Sequence, residues 1–263
     1  MTESIAIQRD PIEVAEREVV FGCGSLRDAE VTVCITLYNY ESHIVEALES
    51  VHEQTLERLG LVVLDDASTD RSAKSVERWL QAFGGRFSGA CLTRHARNAG
   101  LARARNGAID TAESDYVMVL DADNHLHRRC VERLLRSLED SAHGFAYSVV
   151  ERFGELQGLM GTSSWCSELL AKGNYIDAMA LLRKQTWRLV GGYNRMVVGG
   201  WEDYDFWCKC VEQGIRGLFV PELLARYRQH RTSMLATETE RGQNSRRVRT
   251  EMMERHPWLD LGV

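Results

Sequence analysis

From Val31 the chain settles into a regular rhythm of apolar and polar positions. Val31, Val33, Ile35 and Leu37 alternate with Thr32, Cys34 and Thr36, the period-two pattern of a strand. Ile44, Val45, Leu48 and Val51 then share a helical stripe that Ser42 is placed to cap. The apolar run over residues 59–64 has the length of a buried strand. Val76, Trp79, Leu80 and Phe83 recur at helical spacing, in a helix that Thr69 or Asp70 can cap and Gly84-Gly85 stops. The pattern goes on to predict a strand at 91–93, an alanine-rich helix at 101–112, a strand at 116–120, a helix at 129–138 and a strand at 145–150.

Strands alternating with helices at this spacing imply right-handed crossovers. The expected fold class is therefore α/β, a single Rossmann-like domain whose mostly parallel central sheet is flanked by helices on both faces. In such sheets the ligand crevice lies outside the carboxyl ends of the strands. The post-strand segments are Tyr38-Asn39-Tyr40, Asp65-Asp66-Ala67-Ser68-Thr69-Asp70 and Asp121-Ala122-Asp123-Asn124. All are polar and two are strongly acidic.

The flanks are less regular. Residues 12–20 suggest a short charged helix and Gly22-Cys23-Gly24-Ser25 a loop, so residues 1–30 are expected to be an extension before the fold begins. Residues 151–173 show little periodicity, and 178–182 suit a strand or a helix start. Beyond them a helix is expected over 201–212, two short strands at 217–220 and 223–227, and a polar helix over 238–255. Only three prolines occur and no linker divides the chain, so the second half should continue the first.

Composition narrows the function classes. With 263 residues, 44% hydrophobic and 27% charged, the chain has ordinary globular usage. Its 32 basic against 38 acidic residues leave a net charge of −6, which argues against broad binding to nucleic acid or anionic lipid. No apolar stretch approaches the ~18 residues of a membrane helix, and the charged N-terminus has no secretory core. The seven scattered cysteines have no zinc-finger spacing and read as reduced, buried residues of a cytoplasmic protein. Gly22-Cys23-Gly24 precedes the first strand and lacks the third glycine of a dinucleotide fingerprint, and there is neither a Walker lysine motif nor a Gly-x-Ser-x-Gly elbow.

Chemistry gathers where the fold would place a ligand. Asp121 and Asp123, just past a buried strand, can share a divalent cation, although Asp and Asn also make ordinary turns. Asp65 and Asp66 can accept from an imide or ribose hydroxyls while Ser68, Thr69 and Asp70 serve the next helix. Arg103 and Arg105 can neutralise a diphosphate or simply face solvent. Glu202 and Asp203, after Gly199-Gly200, can supply a general base or merely complement a helix dipole. His230, Arg228 and Arg231 are candidates for metal or phosphate contact, and equally for a plain surface loop.

In this order, VTVCITLYNY, LVVLDDASTD, NAGLARARNGA, VMVLDADN, ALLRKQTWRLVGGYN, GGWEDYDFWCKCVEQG and YRQHRTSM resemble the inverting glycosyltransferases of family 2, which have the GT-A fold. The resemblance spans roughly residues 31–234. It implies a glycosyltransferase domain over 31–235, with a nucleotide-binding half at 31–125 and an acceptor half at 126–235, followed by a helical segment at 236–263. It implies a nucleotide-sugar donor, UDP-linked, with Mn²⁺ or Mg²⁺, and a glycan, lipid-linked or protein acceptor. Thr36 and Tyr38 would meet the base, Asp66 the uracil or ribose, and Arg103 and Arg228 the phosphates. Asp121, Asp123 and His230 would form the metal and diphosphate site. Asp203 would be the catalytic base, with Glu202 beside it positioning the acceptor. The chain lacks the Gln-x-x-Arg-Trp motif and the membrane helices of the family's processive synthases. A single-addition enzyme of polysaccharide or glycoconjugate synthesis, or one module of an assembly, is therefore expected over a processive polymerase, cytoplasmic, with peripheral association at the membrane face compatible with family habit.

Two other readings compete. A sugar-phosphate nucleotidyltransferase would want a Gly-rich basic loop after the first strand, where this chain has Tyr38-Asn39-Tyr40-Glu41. A degenerate transferase domain that binds glycan or scaffolds a partner would be signalled by loss of Asp121, Asp123 or Asp203, and all three are present.

Overall fold

The computed structural model describes residues 11–230, 239 and 242–262. Ten strands form one continuous sheet. In chain order they are β1 (Arg17–Gly24), β2 (Val31–Leu37), β3 (Leu59–Asp65), β4 (Gly89–His95), β5 (Tyr116–Asp121), β6 (His125–Leu126), β7 (Phe145–Gly154), β8 (Gly158–Met160), β9 (Leu181–Arg183) and β10 (Gly217–Gln229). The helices are α1 (Ile44–His52), α2 (Ser72–Phe83), α3 (Leu101–Thr111), α4 (Cys130–Glu139), α5 (Ser167–Leu170), α6 (Lys184–Val190), α7 (Glu202–Glu212) and α8 (Asn244–Arg255).

The sheet runs β1-β4-β3-β2-β5-β9-β7-β10-β6, with β8 on β7. The predicted parallel character holds for β4-β3-β2-β5 and for β7 with β10. The sheet as a whole is mixed, because β9 inserts antiparallel between β5 and β7 and joins the two parallel blocks. Every residue of β2 and β3 is buried, as strands covered on both faces must be. On one face Val33, Ile35, Leu61 and Val63 meet Leu48, Trp79, Leu80 and Leu134 from α1, α2 and α4. On the other, Cys34, Val62, Leu64 and Val119 meet Ala108 of α3, Trp187 of α6, and Phe206 and Trp207 of α7. The alanine-rich sequence of α3 reflects close approach to the sheet: a Cβ on Gly107 would stand 2.6 Å from Leu64 Cδ1. Buried Asn106 fastens α3 to the chain between α6 and α7. Its amide donates to the carbonyls of Glu13 and Tyr193 and accepts from Trp187 Nε1 and the Tyr193 N–H.

Three local expectations are corrected. Residues 17–24 are a strand, not part of a charged helix and loop preceding the fold. β1 pairs antiparallel with β4, and Phe21 and Cys23 pack against the core; the open edge of β4 overrides the local charge pattern. The two short strands expected near the C-terminus are one strand, β10, whose register breaks between Val220 and Ala225 around Pro221, which has no N–H to donate. Ser42 makes no cap, since α1 begins at Ile44 without a side-chain cap, whereas Asp70 Oδ1 does accept the Ser72 N–H at 2.9 Å. The polar helix expected over 238–255 is described as α8 over Asn244–Arg255, and residue 238 lies outside the described residues. Of the seven cysteines, all free, five are buried and Cys23 and Cys166 half-buried. Among the described residues no helix is long and apolar enough to cross a membrane.

Candidate active site

The carboxyl ends of β2, β3 and β5 open on a cleft of about 1170 Å³. Its base is braced by contacts between the loops after β2 and β3. Asn39 Oδ1 accepts the N–H groups of Thr69 and Asp70, Ser68 Oγ accepts from Asn39 N, and Ser72 Oγ accepts from Tyr40 N. Asn39 and Ala67 at these loops both take left-handed backbone, with φ of 59° and 61°. Eight of the residues to which the resemblance gives a role line this one cleft: Thr36, Tyr38, Asp66, Asp121, Asp123, Glu202, Asp203 and His230.

Tyr38 presents a ring that is 42% exposed, free to receive a planar group. Asp66 is buried, and its oxygens are engaged by the loop before α3. Ala99 N–H donates to Oδ1 at 2.7 Å and Gly100 N–H to Oδ2 at 2.9 Å, while His95 Nδ1 lies 2.7 Å from Oδ1. This carboxylate therefore folds the 98–100 loop over the end of β3. Gly100, with φ of +91°, makes that turn possible.

Asp123 and His230 meet across the cleft, Nε2 lying 3.0 Å from Oδ2. Burial, then the neighbouring Asp121 charge, raises the Asp123 carboxyl above its ordinary range; His230 opposes the rise. Burial, then the Asp123 and Asp121 charges, raise the nearby Tyr40 hydroxyl well above its ordinary value. Among the described residues no group of three or more His, Cys, Asp or Glu side chains is arranged to hold an ion unaided. An ion here would need further oxygens from a ligand, as Mg²⁺ and Mn²⁺ commonly take from phosphates. The donor set of two carboxylates and an imidazole fits such a shared site.

Of the two arginines of α3 it is Arg105, and not the Arg103 that the resemblance implies, that lines the cleft. Arg105 is buried, and its Nη2 reaches both oxygens of Asp121, at 3.0 and 3.1 Å. Burial works against its charge, yet Asp121 and the other acids of the cleft keep it firmly protonated. Arg103 instead turns outward to Glu13 at 2.8 Å and does not line the cleft. Arg228 is likewise absent from the lining: it pairs with Glu46, and its Nε donates to the Asp123 carbonyl at 3.1 Å. It braces the Asp121–Asp123 loop from behind. Arg231, with the rest of that motif through Met234, lies outside the described residues.

Opposite the Asp121 loop, α7 begins with Glu202 and Asp203. Gly200 N–H donates to Glu202 Oε2 at 2.8 Å, and burial raises that carboxyl. Asp203 accepts from Asn174 Nδ2 at 3.1 Å and from Tyr204 N at 2.8 Å. Burial pushes Asp203 up to about 6, against the opposing pull of Arg105 and these two donors. Asp177, which the sequence reading missed, is a further acid of the cleft, pushed up to about 7 by burial and by Asp203 and Asp121.

A mixed α/β sheet with a cleft at its strand ends and acids on two sides of that cleft is the architecture of the GT-A glycosyltransferases. The sequence model of glycosyl transferase family 2 matches residues 32–209, and the chain belongs to that family of enzymes. EpsE of Bacillus subtilis (strain 168), named as a glycosyltransferase, is 27% identical over 206 residues, 76% of this chain and 73% of EpsE. The glycosyltransferase GlyA of Streptococcus pneumoniae is 28% identical over 134 residues, 51% of this chain but only 18% of GlyA. Among solved structures, S. aureus TarS 1-349 in complex with UDP-GlcNAc superposes with a TM-score of 0.66 at 16% identity, over 79% of this chain and 61% of that one. The mannosyltransferase PcManGT from Pyrobaculum calidifontis, in complex with GDP-Man and Mn²⁺, gives 0.67 at 20% identity, over 94% and 68%. At these identities the superpositions speak for the fold alone.

Proposed function

We propose that the chain transfers a sugar, with inversion, from a nucleoside-diphosphate donor, UDP-linked, to an acceptor hydroxyl in glycan synthesis. The observation that carries this reading is the opposition of Asp203, held near 6, to the Asp121–Asp123–His230 group across one cleft. In-line displacement needs a base on the acceptor side and charge stabilisation on the leaving side.

Asp203 takes the acceptor proton onto its carboxylate, and Asn174 and the Tyr204 N–H hold that carboxylate in place. Glu202, clamped by Gly200, orients the acceptor beside it. Tyr38 packs on the base, and Thr36 and Asp66 border the same end of the cleft. Asp121, Asp123 and His230 would hold a divalent cation, Mn²⁺ or Mg²⁺, which when bound neutralises charge on the departing diphosphate. Arg105 fixes Asp121 for that task. The bound UDP-GlcNAc of TarS and the GDP-Man and Mn²⁺ of PcManGT support a nucleotide-sugar donor with a divalent ion. The acceptor class, a glycan, lipid-linked or protein hydroxyl, and work at the cytoplasmic membrane face belong to the same proposal.

Thermal shift with UDP, GDP, dTDP and CMP, each with and without Mn²⁺, tests it on the wild type and Asp123→Ala. A Mn²⁺-dependent rise with UDP that the variant loses is expected. Absence of any nucleotide-dependent shift in folded protein would overturn the donor site.

A further inference from the structure

One acid of the cleft has no part in the mechanism above. Asp177 lines the same cavity as Asp121 and Asp203, and the guanidinium they surround, Arg105, is already engaged by Asp121. No cation among the described residues lies within ion-pair distance of Asp177, and its one hydrogen bond runs from Met179 N–H to Oδ1 at 2.8 Å. An asparagine would accept that N–H equally well, so the turn does not need a charge. A recessed, unpaired carboxylate is costly unless something binds it.

The sheet fixes where this acid stands. β9 runs antiparallel to β5 with Met118 opposite Leu181, and Val119 N–H reaches the Ala180 carbonyl at 3.4 Å. Just before β9 the chain turns, Ala180 N–H donating to the Ala178 carbonyl at 2.7 Å, and Asp177 enters the cavity lined by Asp121 and Asp123, where the Asp121 and Asp203 charges both act on it. From the other side, Asn174, three residues earlier on the same segment, is bonded to Asp203. Asp177 thus stands between the leaving-group end of the cleft and the base. In the proposed reaction that interval holds the sugar being transferred.

We infer that Asp177 accepts hydrogen bonds from a hydroxyl of the transferred sugar and so selects the donor. The inference rests on the proposed donor site. It assigns Asp177 to the sugar and not to the nucleotide, and these two contributions separate in a binding experiment that needs no acceptor.

The experiment measures calorimetric affinities of the full chain with Mn²⁺ for UDP, GDP, UDP-GlcNAc, UDP-glucose and GDP-mannose. It compares the wild type with Asp177→Asn, which keeps the shape and the Met179 contact. For the sugar nucleotide that the wild type binds most tightly, a loss of roughly ten-fold or more is expected, as for a hydrogen bond to a charged group. The matching free diphosphate should change by less than about two-fold. An unchanged affinity for both ligands, or an equal loss for both, would overturn the assignment while leaving the donor site standing. A wild type that binds none of the five would bring down the donor site and Asp177 with it. Analogues of the chosen donor lacking single hydroxyls, tested on the wild type, supply a check that does not depend on the variant folding. One of them should lose roughly the same ten-fold, and uniform affinity across the set would also overturn the assignment.

Discussion

Arg105, on α3, holds both oxygens of Asp121 at the end of β5, at 3.0 and 3.1 Å. The bond joins a helix to a strand end and places a guanidinium within the field of Asp177, Glu202 and Asp203. Lysine keeps the charge but not the rigid guanidinium that carries Nη2 to both oxygens. Arg105→Lys should lower kcat/KM by roughly 10- to 100-fold, through misplacement of Asp121. Arg105→Ala should cost more, and should also move the acid limb of the rate profile to higher pH, since Asp203 loses its main attractive charge. Kinetics across pH on both variants check this; a fully active Arg105→Lys would remove the positioning role.

Asp203 sets the second expectation. A base pushed up to about 6 is protonated below that pH, so kcat/KM should rise through pH 6 and level off above it. Asparagine at Asp203 should lower kcat by roughly 10²- to 10⁴-fold, with donor affinity nearly unchanged. Asn174 donates to the charged form of Asp203, so removing that donor raises the pKa. Asn174→Ala should therefore shift the acid limb upward while leaving the plateau largely intact. A profile of Asn174→Ala that overlays the wild type would contradict this link.

These residues also show how far the sequence could be read. From β2 to α4 every strand and helix but the two-residue β6 was legible, from helical stripes or short apolar runs, and the ligand crevice followed from the strand ends. Arg103 and Arg105 were not separable by residue type, but helical phase distinguishes them. Arg105 follows Ala102 by three residues and precedes Ala108 by three, on the buried stripe of α3, whereas Arg103 is off it. Arg228 misled because its motif neighbour His230 does face the cleft; successive β10 positions alternate, but the side chain's pairing with Glu46 is tertiary. Asp177 sits in a stretch without periodicity, and only the antiparallel insertion of β9 brings it to the Asp121 loop. β1 was hidden for the same reason, since its partner edge lies seventy or so residues away in sequence.

Ala67 offers a stability test independent of catalysis. Its φ of 61° is a conformation in which a Cβ costs roughly 1–2 kcal/mol, and the surrounding hydrogen bonds of Asn39 and Ser68 hold it there. Glycine removes that strain but adds freedom to the unfolded chain. Ala67→Gly should therefore raise stability by a net of up to about 1 kcal/mol, or roughly 2 °C in Tm for a chain of this size. Calorimetric melting decides it, and a clear loss of stability would mean that the loop is unstrained.

The contact of α8 with α7 should make stability depend on pH. His256 is buried between Glu212, 2.7 Å from Nδ1, and Asp205, 3.2 Å from Nε2. Lys209 and Arg255 also pair with Asp205, Glu251 pairs with Arg255, and Trp258 donates to Glu212. Burial disfavours the imidazolium, but the two carboxylates outweigh it and raise the His256 pKa. Burial likewise opposes the Asp205 charge, yet His256, Lys209 and Arg255 hold its pKa below the ordinary value. The signs then differ. The His256 contribution is complete below the unfolded pKa of about 6.5 and is lost as pH rises through the higher folded value. The Asp205 contribution is complete above about pH 4 and is lost as pH falls through its lower folded value. Between these limits both act together. His256→Gln should destabilise by about 3 kcal/mol near pH 6, since it leaves Asp205 and Glu212 short of a charged partner. The difference from the wild type should shrink as the pH passes above the folded His256 value. Denaturant melts of both proteins from pH 5 to 9 measure it, and a gap that stays constant across that range would show that His256 is held neutral between the two acids. Because α7 opens with Glu202 and Asp203 and α8 brings Arg249 to the cleft, loosening this contact should also reach the catalytic end of α7.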